Sequence, residues 1–229
     1  LVPLQRIVEF CQGNLLALRM LTKIAAFHNK GAEPQGDGEE STSSTLEAAW
    51  QKTWQNVGET RESNAGFASS AVAVAMLMAL ALLPTEIKEP YADVAIFQDR
   101  QPIPVTLLKS LWWDNGFKSE WVTQLVALGL FTEASPSSSV TTHPQQRAFL
   151  SSFDGETGKM RTPFQLKNWL SQRHRKLVEV YAQQCNGGAW ALGPKDGYFH
   201  DNIQYHLSHA GRADEAVKLN TTHEWVCTV

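Results

Sequence analysis

The sequence predicts a mainly α-helical protein: a helical bundle, a winged helix–turn–helix with a small β-hairpin, and a following α-helical segment. Three observations predict it. Apolar side chains recur at three- and four-residue spacing through much of the chain, which is the period of an amphipathic helix. An uncharged, alanine-rich run, Ala65–Pro84, has the character of a helix apolar on every side and therefore buried at the centre of a bundle. From Pro104 to Thr142 the signals run helix, turn, helix, hairpin, the order of a winged helix–turn–helix.

The spacing predicts helices over residues 2–12 and 15–28, separated at Gly13. In the second, Leu15, Leu18, Leu21 and Ala25 share one side, with Arg19 and Lys23 on the other. Residues 29–44 are polar, acidic and rich in Gly, Ser and Glu, which reads as a loop. A helix resumes at Thr45 with Trp50 and Trp54 as an i, i+4 pair, and "GETRESN" separates it from the alanine-rich helix ending at Pro84. Tyr91–Phe97 fits either a strand or a helical turn. Pro104 then opens a helix whose apolar side is Leu107, Leu108 and Leu111, and Trp121–Leu130 is a second that Gly129 helps to stop. Leu130–Thr132 against Val140–Thr142 makes the hairpin around a Pro/Ser turn. Phe164–Gln183 is helical, "CNGGAWALGPKDG" is a loop, and the last stretch is two helices around Gly211. The division that follows is a helical domain over 1–63, a winged-helix domain over 64–150 and a helical domain over 151–229.

Composition narrows the function. The 229 residues include 20 basic and 23 acidic side chains, net −3, which speaks against a dominant nucleic-acid surface. Three widely spaced cysteines give neither a disulfide framework nor a metal spacing, so a reducing, intracellular setting is expected. The opening LVPLQRIVEF has no initiator Met and no leader, and reads as part of a longer chain. His206 and His209 lie i, i+3, but a structural zinc site takes four ligands, usually with cysteine, so packing histidines are expected instead. Asp196, Asp201 and Glu215 read as solvated helix faces, and no nucleophile elbow is present. Trp112, Trp113 and Trp121 flank one loop and read chiefly as core. Two alternative readings follow from the residues alone. One is a DNA-binding winged helix, with Lys109 on its recognition helix and the densest basic run at Arg173–Tyr181. The other is a membrane anchor at residues 65–83, which the alanine content disfavours.

Four segments carry a resemblance. "VEFCQGNLLALRML" resembles the glycine-proline-leucine segment of the NB-ARC (STAND) nucleotide-binding switch ATPases, and Ile87–Trp112 resembles their winged-helix segment without a gap. "HPQQRAFL" falls where that family has its Met-His-Asp motif, and "IQYHLSHAGRADEAVKL" is like the helical segment of its apoptotic protease-activating-factor-like members. The resemblance implies a cytoplasmic signalling switch, closed with ADP and open with ATP, as in apoptosis or in plant resistance proteins. It implies that His143 meets the β-phosphate of ADP and that Gly13 and Leu15 lie at the nucleotide. The partners implied are an upstream nucleotide-binding domain, downstream sensor repeats and further copies on activation, with no nucleic acid and no membrane. Leu15 stands where the family has an adenine-contacting proline, and Pro144 where it has an aspartate that helps hold the closed state. The phosphate loop GxxxxGK[ST] is absent from the sequence, so the chain is expected to be a scaffold without catalysis or cofactor of its own, sharing ADP or ATP with the missing domain.

Overall fold

The computed structural model describes residues 2–30, 40–64, 70–99, 101–135, 138–155, 157, 159–186, 189–221 and 225. Its elements in chain order begin with α1 (Val2–Cys11), α2 (Leu15–Lys30), α3 (Glu40–Ser63), α4 (Ala71–Ala81) and α5 (Thr85–Ala92). A 3₁₀ turn (Asp93–Ile96), β1 (Ile103–Pro104), α6 (Val105–Leu111) and a second 3₁₀ turn (Trp113–Asn115) follow. Next come α7 (Ser119–Ala127), β2 (Thr132–Ser135), β3 (Ser139–Thr141) and α8 (Pro144–Ser152). The chain continues through β4 (Phe153–Asp154), β5 (Lys159–Met160) and α9 (Pro163–Gln184). A third 3₁₀ turn (Trp190–Leu192) leads to α10 (Phe199–His209) and α11 (Ala213–Thr221). The protein is thus mainly helical with small antiparallel β elements, as the periodicity predicts. These elements form two compact units, Leu1–Lys88 with Glu120–Thr132, and Glu89–Ser119 with Glu133–Val229.

The first unit is a helical bundle around α4. Val72 through Met76, Met78 and Ala79 are all buried, because alanine lets neighbouring helices approach the backbone on several sides. Ser70 caps this helix by accepting from the Ala73 N–H at 3.1 Å. Ile7 of α1, Met20 and Ile24 of α2, and Val57 of α3 complete the core. With 11 residues, α4 is short, and among the described residues no helix is long and apolar enough to cross a membrane. Residues 65–69 of the run lie outside the described residues. So do residues 31–39 of the predicted acidic loop, whose two ends are helical: α2 continues to Lys30 and α3 begins at Glu40. In α7, Trp121 and Leu125 are buried, and Gly129 stops the helix at φ +75°. The N–H groups of Leu130 and Phe131 then both donate to the Leu125 carbonyl, at 2.9 and 3.1 Å. That closure delays the strand predicted from Leu130, which starts at Thr132.

The second unit holds a three-stranded sheet in the order β1-β3-β2, with Ile103 opposite Val140 and Pro104 opposite Ser139. The hairpin is predicted; its third strand, two residues long, is too short to leave a periodic signal. A second hairpin, Phe153–Asp154 against Lys159–Met160, has no counterpart in the sequence reading. Tyr91–Phe97 resolves as the end of α5 and a 3₁₀ turn, not a strand. Behind these, α9, α10 and α11 pack in sequence, with Leu177, Tyr181, Phe199 and Ile203 fully buried. Of the three tryptophans read as core, Trp112 and Trp121 are buried, whereas Trp113 is 67% exposed.

Candidate functional site

His143 leaves β3 in extended conformation (φ −78°, ψ 142°) and is the N-cap of α8, with Pro144 at the first helical position. Its ring takes part in the cap: the Gln145 N–H donates to Nδ1 at 3.2 Å. The buried Gln146 side chain answers from the third position, its oxygen accepting from the His143 N–H at 3.0 Å and from the Thr142 hydroxyl at 3.2 Å. Because Nδ1 accepts, the ring proton belongs on Nε2. Among the described residues Nε2 has no partner, and the residue is exposed. The geometry therefore presents one N–H donor, oriented by a cap, at the start of a helix, an arrangement chemically suited to an anion. The same device recurs at α9. Thr162, Pro163 and Gln165 repeat the cap, proline and glutamine of His143, Pro144 and Gln146, with bonds of 2.8 and 3.3 Å. Two X-Pro-x-Gln boxes, at 143–146 and 162–165, are visible in the sequence, and they explain Pro144 as a helix-starting residue.

Gly13 and Leu15 belong to the other unit, on the turn between α1 and α2. Gln12 and Gly13 both take positive φ there, +46° and +80°. Asn14 accepts from the Ala17 N–H at 3.0 Å and starts α2. Leu15, assigned by periodicity to the apolar side of α2, is 78% exposed instead. It sits in the first turn, ahead of the face formed by Ala17, Met20, Leu21 and Ile24.

The basic run of α9 is internally committed. Asp93 is 1% exposed in the 3₁₀ turn, and its carboxylate receives Arg173 and, at 2.9 Å, Lys176. Arg173 also reaches Glu89 at 2.9 Å. Burial pushes the Arg173 guanidinium down, but Asp93 and Glu89 outweigh it and the net shift is upward. Arg175 donates to the Ala210 carbonyl at 2.9 Å. These pairings tie α9 to its neighbours, and Lys109 is the single basic residue of α6, whose Leu107, Leu108 and Leu111 are buried.

Between α9 and α10 lies a buried pair, Nδ1 of His174 and Nδ1 of His206 at 2.9 Å, with the Tyr198 hydroxyl 2.7 Å from Nε2 of His206. The Gln98 N–H donates to the Tyr198 oxygen. The self-consistent assignment has Tyr198 donating to His206, whose Nδ1–H donates to His174, both rings neutral. Burial pushes His174 down to about 4 and His206 well below its ordinary value, each opposed further by neighbouring imidazoles. The i, i+3 neighbour of His206, His209, is exposed, with Nδ1 2.8 Å from the Tyr205 carbonyl and its ring centre 5.0 Å from that of His174. Among the described residues no group of three or more His, Cys, Asp or Glu side chains is placed to hold a metal ion. Of the carboxylates read as solvated helix faces, Asp196 instead lies half-buried in the loop ahead of α10. Asp196 accepts from Tyr198 N–H, Phe199 N–H and the Tyr181 hydroxyl at 2.9, 2.8 and 2.8 Å, and Glu215 pairs with Arg212.

A family model for the APAF-1 helical domain matches residues 170–228, from within α9 through α11 and beyond. The chain is similar to that domain over this segment, which contains His174, His206 and the basic run. No curated protein matches the chain.

Proposed function

We propose that this chain is the regulatory, oligomerisation-controlling part of a nucleotide-dependent signalling switch, a scaffold with no catalysis of its own. The observation that carries the reading is the APAF-1 helical-domain match at residues 170–228, C-terminal in the chain to a hairpin that ends on a histidine-capped helix. In this reading an upstream nucleotide-binding domain supplies ADP, and the Nε2–H of His143 donates to its β-phosphate. Gly13 and Leu15 border the base. ADP holds the closed monomer, ATP favours an open form that exposes surfaces to further copies, and downstream sensor repeats bias the equilibrium.

The capping role of His143 has to be separated from ligand binding, and the second box shows how. Threonine fills the same place at Thr162, so His143→Thr keeps the cap and removes the imidazole, whereas His143→Ala removes both. In the protein that includes the nucleotide-binding domain, both variants should lose co-purifying ADP, measured by chromatography of the released nucleotide. Only His143→Ala should also lower the melting temperature. Full ADP retention in His143→Thr would reduce His143 to a helix cap.

A further inference from the structure

One cavity of the first unit, bordered also by Gln12 and Asn14 of the turn that holds Gly13, has chemistry that the packing does not use. It is an open cleft of about 700 Å³ lined by α1, α3 and the start of α4. Arg6 and Arg61 both line it, and among the described residues neither makes an ion pair. Two aromatic rings form part of its wall, Phe10 and Trp54, edge to face with centroids 6.4 Å apart. Arg61, an exposed residue, leans toward this wall, its guanidinium carbon 5.4 Å from the centre of the Phe10 ring. A guanidinium stacked on a ring keeps its in-plane N–H fork free, and such a fork matches two oxygens of a phosphate or carboxylate. Glu9 also lines the cleft, with Oε1 accepting from the Gln5 amide at 3.1 Å, so the lining carries two cations against one anion.

Volume selects between a bare ion and a larger ligand. The cleft lies in the range of small-molecule sites, roughly 300–1,000 Å³. An inorganic oxyanion would leave most of it, and both rings, uncovered. We propose that this cleft binds a small organic phosphate, its phosphoryl oxygens on the forks of Arg6 and Arg61 and its apolar part against Phe10 and Trp54. Of the oxyanions, a phosphate monoester suits two guanidiniums better than a carboxylate, because it offers three oxygens and nearly two charges. The opposing charge of Glu9 limits the affinity.

Calorimetric titration of the chain at low ionic strength, with phenyl phosphate and separately with inorganic phosphate, tests this. Phenyl phosphate should bind saturably and about tenfold more tightly than inorganic phosphate, the gain coming from ring contact. Arg6→Gln and Arg61→Gln should each weaken it about tenfold, the scale of a charge-assisted hydrogen bond. Phe10→Leu should weaken it several-fold with no change of charge, and Glu9→Gln should tighten it. Arg19→Gln, on the exposed side of α2 and outside the cleft, should leave it unchanged. Because Arg61 also packs on Phe10, Arg61→Lys serves beside Arg61→Gln: it keeps the charge, removes the fork and should still weaken binding. Absence of saturable binding, equal affinity for the two probes, or an equal loss in Arg19→Gln would overturn the proposal. His143→Ala should not alter phenyl phosphate affinity, so this test and the nucleotide test fail independently.

Discussion

Single residues here are read most clearly where a neighbour leaves no alternative. Gly193 follows the third 3₁₀ turn in extended conformation, so its backbone asks for no glycine (φ −64°, ψ 163°). What asks for it is Phe199, fully buried, whose ring occupies the space a Cβ would take. Phe199 is fixed in turn by Tyr181 and Trp190, with ring centroids at 4.8 and 6.3 Å, so it cannot swing aside cheaply. Gly193→Ala should therefore destabilise the second unit by about 1–3 kcal/mol, the scale of overpacking, seen as a lower melting temperature. Gly197→Ala makes the contrast: nothing surrounds its Cβ, and its cost should come from the positive φ of +77° alone. His143 carries the same lesson. "HPQQ" fits a family histidine and a capping box equally well as a string, and the structure shows that its ring is engaged by the second while leaving one donor over.

At the scale of elements, Asp93 joins the 3₁₀ turn after α5 to α9. Removing one member of a buried pair usually costs about 3–5 kcal/mol, because the remaining charge stays buried. Here Arg173 keeps Glu89, and the Lys176 side chain, 32% exposed, can turn to water. Asp93→Asn should thus cost less, about 2 kcal/mol, read as a shift in the denaturation midpoint with no change in slope. This contact is not legible in the sequence, since Asp93 and Arg173 are 80 positions apart and no local pattern links them. What was legible is what local periodicity encodes. The alanine run predicts a buried helix, and α4 is one; the Leu107, Leu108, Leu111 stripe predicts the buried face of α6. Two-residue strands such as β1 and β4 carry no period and were missed. The histidine pair had half a signal: His174 lies three and four residues before the buried Leu177 and Val178, which puts it on the core face of α9. Its partner on another helix had none.

At the scale of the molecule, the histidine pair makes the second unit sensitive to acid. His206 is fully buried and faces His174 and Tyr198, with Tyr205 and His209 on its own helix and Phe97 edge-on from the 3₁₀ turn. Arg147 of α8 stands near Tyr198 and Tyr205, so a proton arriving here meets a cation as well as an apolar wall. In the unfolded chain both imidazoles titrate near 6.5, whereas in the folded unit burial holds His174 at about 4 and His206 well below its ordinary value. Below about pH 6.5 the unfolded state therefore binds protons that the folded state refuses. The contribution of the pair is full above that pH, falls as the solution is acidified, and levels off for His174 once pH passes below about 4. Each histidine adds at most about 1.4 kcal/mol per pH unit to this slope. His206→Gln removes one titration while its amide can still accept from Tyr198 and donate to His174. Chemical denaturation from pH 7 to pH 4.5 should show a steep loss of stability in the parent chain, and in His206→Gln a slope smaller by up to about 1.4 kcal/mol per pH unit. Carboxylate titration is common to both proteins and cancels in the comparison, so parallel curves would mean that the buried pair is not what acid attacks.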